Sequence, residues 1–289
     1  MPFRQNKCWD VERCSQRHTL EERTLNVEDL TLKMKKAISY LLIFVGLQII
    51  GGAIINAVWP LITGTPDKTP ALLITATVVT SVATIILFLR ARWTEVSPNW
   101  LRTRPWTVLI WSVVAALGLI IPSAWVQEAM PDLPNWAETE FDMILGNRWG
   151  YVTIGLLAPL SEEIVMRGAI LKELLKSEKL SPWGAIAISA LFFSLIHMNP
   201  AQMPHAFVIG LLLGWMYWRT GSILPGVAYH WANNSVAYVM YNIYPDPDIK
   251  LIEIFKGSET HVILAVVFSL LIVLPAIYQL HMWMRRAEE

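Results

Sequence analysis

The chain has 289 residues, of which 54% are apolar and only 16% charged, with a mean hydropathy of +0.44. Soluble domains carry roughly 25% charged residues, and here charge is missing in whole blocks, which excludes a soluble enzyme, a disordered chain and a nucleic-acid binder. Lys+Arg and Asp+Glu both number 23, so the net charge of zero selects no acidic or basic partner.

Residues 1–33 form a polar leader rich in Arg, Glu, Gln and Thr. They are expected to be disordered or not native, with Met34 as the biological start, because Met34-Lys35-Lys36 feeds directly into an apolar block. Cys8 and Cys14 lie in this leader with no histidine at ligand spacing and are read as chemically idle.

A helical membrane span needs about 20 mostly apolar residues. Uncharged blocks of that size run over 37–66, 69–89, 105–127, 180–218, 220–245 and 260–284. The expected fold is therefore all-α: a polytopic membrane protein, a bundle of about eight transmembrane helices around an intramembrane polar site. The spans are placed at 38–62, 70–89, 106–127, 149–171, 182–198, 204–219, 223–244 and 262–283. Residues 34–148 hold the first three spans and an acidic outer loop, 149–244 the catalytic core of spans four to seven, and 245–289 an outer loop and the last span. The fifth and sixth separate at Met198-Asn199-Pro200-Ala201-Gln202-Met203-Pro204, whose prolines and Asn break helical pairing. Gly210-x-x-x-Gly214 in span six fits close helix packing. With the N-terminus cytoplasmic, the inner ends hold thirteen Lys and Arg against four in the outer loops (Lys68, Arg148, Lys250, Lys256). This bias puts both termini in the cytoplasm and supports an even number of crossings.

Charge inside a span costs ~2.5–3.5 kcal/mol per residue and marks a functional candidate. Span four carries Glu162, Glu163 and Arg167. Glu163 and Arg167 are four residues apart and can pair on one face, while Glu162 turns about 100° away without a local partner. His197 ends span five; His230 and, four residues on, Asn234 lie in span seven, with Asn233 beside them. At 1.5 Å per residue, Glu162 lies ~20 Å below the outer surface and His230 ~14 Å above the inner one, similar levels in a ~30 Å core, with His197 nearer the outside. His205, His261 and His281 are read as interfacial.

A carboxylate near a histidine activates water for attack on a carbonyl. A second histidine and an amide can hold the oxyanion, each preorganised donor being worth roughly 3–4 kcal/mol. Peptide hydrolysis fits these parts. A metal route stays open, with Glu162, His197 and His230 as an N/N/O set for Zn. No H-E-x-x-H or G-x-S-x-G occurs, and no aspartate lies in a span, which argues against zinc-helix, serine and aspartyl designs. Ser194, beside His197, lacks a glycine-rich elbow.

In order, Glu162-Glu163-x-x-x-Arg167, Phe193-x-x-x-His197 and His230-x-x-x-Asn234 resemble the motifs of the CPBP family, the CAAX protease and bacteriocin-processing group that includes type II CAAX prenyl endopeptidases and the Abi proteins. The resemblance implies an eight-helix intramembrane endopeptidase, labelled a metalloprotease although the motifs work without metal. Glu162 and His197 would activate water, His230 and Asn234 would stabilise the oxyanion, and Glu163 and Arg167 would support the site. Short loops make the chain look more like the bacterial branch, in an inner membrane, with bacteriocin-like or C-terminal peptide substrates. The alternatives are a non-catalytic membrane immunity or scaffold protein, in which the polar cluster is packing, and a transporter using Glu162 and the histidines as a proton relay.

Overall fold

A computed structural model describes residues 11–95, 106–246 and 249–284, with backbone alone for 11–27. Cys8, the side chain of Cys14, and the inner-end cations Arg102, Arg104, Arg285 and Arg286 lie outside the described residues. Every regular element among the described residues is helical.

In chain order the helices are α1 (Val11–Thr63), α2 (Pro70–Arg90), α3 (Trp106–Glu128) and the short α4 (Glu138–Leu145). A continuous central rod follows over 152–174. It consists of a π-helical segment (Val152–Leu157), α5 (Ala158–Glu163), a second π-helical segment (Ile164–Leu171) and α6 (Lys172–Leu174). Then come α7 (Pro182–Leu195), α8 (Met203–Thr220), α9 (Leu224–Ile243), α10 (Leu251–Ile254) and α11 (Glu259–Trp283).

Four of these are long and apolar enough to cross a membrane: Glu28–Thr63 of α1, α2, α3 and α11. The rod and α7 fall short of that measure because the rod is divided into segments of at most eight residues and α7 has only 14, while α8 and α9 are long enough but less apolar. The polar leader expected over 1–33 is helical from Val11 onward, in one rod with the first apolar block.

Local chemistry sets the boundaries. Thr69, Ser181 and Ser258 cap α2, α7 and α11, each side-chain oxygen accepting the N–H of the third residue on, at 3.1–3.3 Å. Pro70 and Pro182 occupy the first helical position, where no partner for an N–H is lost. α7 ends at Leu195, three residues before the expected limit, because Met198 adopts a left-handed φ of 46° and Asn199-Pro200 follow. α8 stops at Gly221, with φ 63°.

α3 lies between α9 and α11, α1 pairs with α2, and α7 with α8, while the central rod touches α1, α2, α7 and α9. Gly210 and Gly214 face α7 closely: a Cβ at either would come 2.9 Å from Ala190 or Ile186. All eight residues of Ile164–Leu171 are buried, as expected of an element enclosed on every side. At the far end of the rod, Glu173 receives Lys176 at 2.8 Å and Lys36 at 3.3 Å. Burial pushes the Glu173 carboxyl up, but the two ammonium groups outweigh it and hold it below the ordinary glutamate range.

Candidate active site

The acidic motif stands where the rod alternates between α and π geometry. A π turn frees backbone carbonyls, and buried carbonyls need donors. Three helices or their flanks supply them: Thr94 Oγ1 donates to Ile164 O at 2.6 Å, Ser189 of α7 to Met166 O at 3.1 Å, and Asn234 Nδ2 of α9 to Ile154 O at 3.0 Å. The local geometry of the rod is thus held by side chains distant in sequence.

Glu163 and Arg167 pair as their spacing predicts, with Nη1 donating to Oε1 at 2.7 Å and both side chains buried. Arg167 Nη2 also donates to Gly210 O at 3.3 Å, and its Cζ sits 4.5 Å from the centre of the Phe193 ring. His230 Nδ1 lies 3.3 Å from Glu163 Oε1, while its Nε2 lies 3.7 Å from Glu162 Oε2. A carboxylate held by Arg accepts only, so Nδ1 carries a proton and Nε2 is the nitrogen turned to Glu162. The second oxygen of Glu163 has no hydrogen-bond partner among the described residues and abuts Gly226, where a Cβ would come within 2.6 Å.

Phe193 organises the two imidazoles. Its ring stands edge-on to His197 at 5.1 Å and to His230 at 5.6 Å. His197 Nδ1 lies 2.8 Å from Phe193 O, an acceptor, so this nitrogen is a donor and Nε2 of the neutral ring holds the free lone pair. Ser194 is committed elsewhere: its hydroxyl donates to Met203 O at 2.8 Å, fastening α7 to α8.

Glu162, His197, His230 and Asn234 all line one cavity of about 380 Å³. Among the described residues no Lys or Arg lines it. One amide hydrogen of Asn234 is used on Ile154 O and its Oδ1 accepts from Asn233 at 3.3 Å, which leaves the second hydrogen. Among the described residues no three His, Cys, Asp or Glu side chains are gathered closely enough to hold a metal ion, so Glu162, His197 and His230 do not form a ligand set as they stand.

Residues 145–236 match the family model described as Rce1-like, type II CAAX prenyl endopeptidase Rce1-like. Over this stretch the chain is CAAX protease-like. The comparisons with curated proteins and with solved structures gave no match. The CAAX protease-like segment contains Glu162, Glu163, Arg167, His197, His230 and Asn234, and the match implies, at a coarse level, an endopeptidase working within a membrane.

Several cavity residues escaped the motif reading. Glu138, Phe141, Asp142 and Leu145 of α4 roof the cavity; their i, i+3, i+4, i+7 spacing marks one helix face and was available in the sequence. His205, read as interfacial, lines this cavity and approaches Gln127 at 3.5 Å. It also lines a second, mostly apolar cavity of about 450 Å³ between α3, α9 and α10, so the two spaces adjoin.

Proposed function

We propose that this chain is a multi-pass intramembrane endopeptidase of about eight spanning helices, both termini cytoplasmic in an inner membrane, that hydrolyses peptide bonds of membrane-associated or small peptide substrates. One observation carries the reading: Glu162 and His197, from separate helices, line a single cavity together with His230 and Asn234, inside a bundle with membrane-length helices.

The chemistry follows from the free atoms. Glu162, with His197 Nε2, takes a proton from water as the oxygen attacks the peptide carbonyl carbon. The carbonyl oxygen becomes an oxyanion, which accepts from His230 Nε2–H, its ring carrying the second proton, and from the remaining Asn234 amide hydrogen. The tetrahedral adduct collapses, the C–N bond breaks, and the proton held at Glu162 passes to the leaving amine. Glu163 and Arg167 keep the His230 ring aimed. The adjoining apolar cavity supports a substrate with an apolar group near the cleaved bond. No step requires a metal.

The test is turnover of quenched peptides, bacteriocin-like and C-terminal CAAX types included, by the purified full chain in detergent. Glu162→Gln is expected to lower kcat by about 10²–10⁴-fold with folding intact, since among the described residues its carboxylate makes only the 3.7 Å approach to His230. Wild-type cleavage no faster than that of the folded variant would overturn the reading in favour of an immunity or scaffold role. Full activity after metal depletion is the second expected result; loss restored by Zn would assign the Glu162, His197 and His230 set to a metal instead.

A further inference from the structure

α4 has no fully buried residue, most of its side chains being half-buried, and Glu138, Phe141, Asp142 and Leu145 line the cavity. It rests on α2 and α9, and polar bonds tie both of its ends. At the C-terminal end, Asn242 Nδ2 donates to Leu145 O at 3.1 Å and Tyr238 OH to Asn147 O at 3.1 Å, both from α9. At the N-terminal end the fastening is Asn199, wholly buried in the turn between α7 and α8. Its Oδ1 accepts Trp136 N–H at 3.1 Å, its Nδ2 donates to Asn135 Oδ1 at 2.8 Å, and Ala201 N donates to Pro134 O at 3.3 Å beside it.

Asn199 stands two residues beyond His197, across Met198 with its left-handed φ of 46°. Its own carbonyl accepts the N–H groups of Gln202 and Met203, at 2.9 and 3.1 Å, which start α8. Both polar atoms of the Asn199 side chain therefore go to the segment leading into α4, its carbonyl goes to the first turn of α8, and the chain reaches His197 from it through the left-handed Met198. Two part-buried hydrogen bonds of the Asn199 amide join the approach to α4 to the turn that follows His197.

We infer that Asn199 is a positioning residue: it latches the α4 strap across the cavity and, through the same bonds, sets the His197 turn, so that closure over a substrate and placement of His197 are one event. The inference rests on the proposed peptidase reading for its kinetic arm and on the structure alone for its exchange arm. α4 is only half-buried, so it is more easily lifted than the helices around it, and lifting it pulls on Asn135 and hence on the turn after His197.

The test uses substitutions on the strap side, away from His197. In the full chain, Asn135→Ala removes the acceptor, Asn135→Asp keeps it, and Lys68→Ala breaks only the exposed Lys68–Glu140 contact of 2.9 Å on the outer side of α4. Hydrogen exchange in detergent is read at 139–145 and 197–203. Asn135→Ala is expected to speed exchange about tenfold in both segments together, with Asn135→Asp close to wild type and Lys68→Ala unchanged. In the peptidase assay, Asn135→Ala should lower kcat by roughly tenfold or more and Asn135→Asp should restore it; since Asn135 itself lines the cavity, an effect on KM alone would overturn the placement of His197. Faster exchange at 139–145 with 197–203 unaltered would overturn the coupling, and so would equal effects from Lys68→Ala. If the wild-type chain turns over no peptide, the exchange arm decides the latch alone, and only the peptidase reading falls.

Discussion

His230 presents Nδ1 to Glu163 at 3.3 Å and Nε2 toward Glu162 at 3.7 Å, so one imidazole stands between a carboxylate bound to Arg167 and one facing the cavity. On the proposed mechanism, His230→Ala removes a donor to the oxyanion but leaves the Glu163–Arg167 pair in place. Turnover should fall about 10²–10³-fold, with the unfolding midpoint in detergent changed far less than in variants that break the ion pair.

Arg167 has the opposite profile. Its replacement by Met strands the buried Glu163 carboxylate, frees Gly210 O, and forfeits the contact with the Phe193 ring. Removing one partner of a buried pair costs about 3–5 kcal/mol, so Arg167→Met should appear first as a loss of folded protein in thermal or denaturant unfolding.

Gly226 tests how tightly Glu163 is held. The added methyl of Gly226→Ala would lie 2.6 Å from Glu163 Oε2, and Arg167 fixes the other oxygen, so the carboxylate cannot simply swing aside. Overpacking of this kind costs roughly 1–3 kcal/mol. A fall in kcat of about tenfold at nearly constant KM should accompany it, since the displaced group aims His230.

Glu173 predicts acid sensitivity at a place remote from the cavity. Its folded carboxyl titrates below the unfolded value because Lys176 and Lys36 outweigh the effect of burial. Its contribution is therefore complete above the unfolded pKa of about 4.3 and disappears as pH falls from there through the lower folded value. Glu173→Gln should unfold at a lower temperature than wild type near pH 7, and the gap should close below about pH 4.

The helices and the motif residues were readable because their signals are local. Apolar blocks gave α1, α2, α3 and α11 within a few residues at most of their ends, and spacing alone paired Glu163 with Arg167. The π turns of the rod left no such mark, since they depend on donors from Thr94, Ser189 and Asn234 that come from other parts of the chain. The roof was hidden for a similar reason: α4 is brief and polar, and its link to the cavity runs through Asn199, where proline-rich punctuation signalled only a break. His205 misled because depth along a helix says nothing about which cavity its side chain meets.

The lysine pair at the start of the first apolar block has a consequence for biogenesis. Lys36 meets Glu173 across 137 positions of chain, and the rod between them receives donors from α7 and α9, which are synthesised later still. When the ribosome first delivers Glu162, Glu163 and Arg167, α1, α2 and Thr94 are already made, but α7, α8 and α9 are not. The buried charges of this segment are thus enclosed on one side only until the later helices are synthesised.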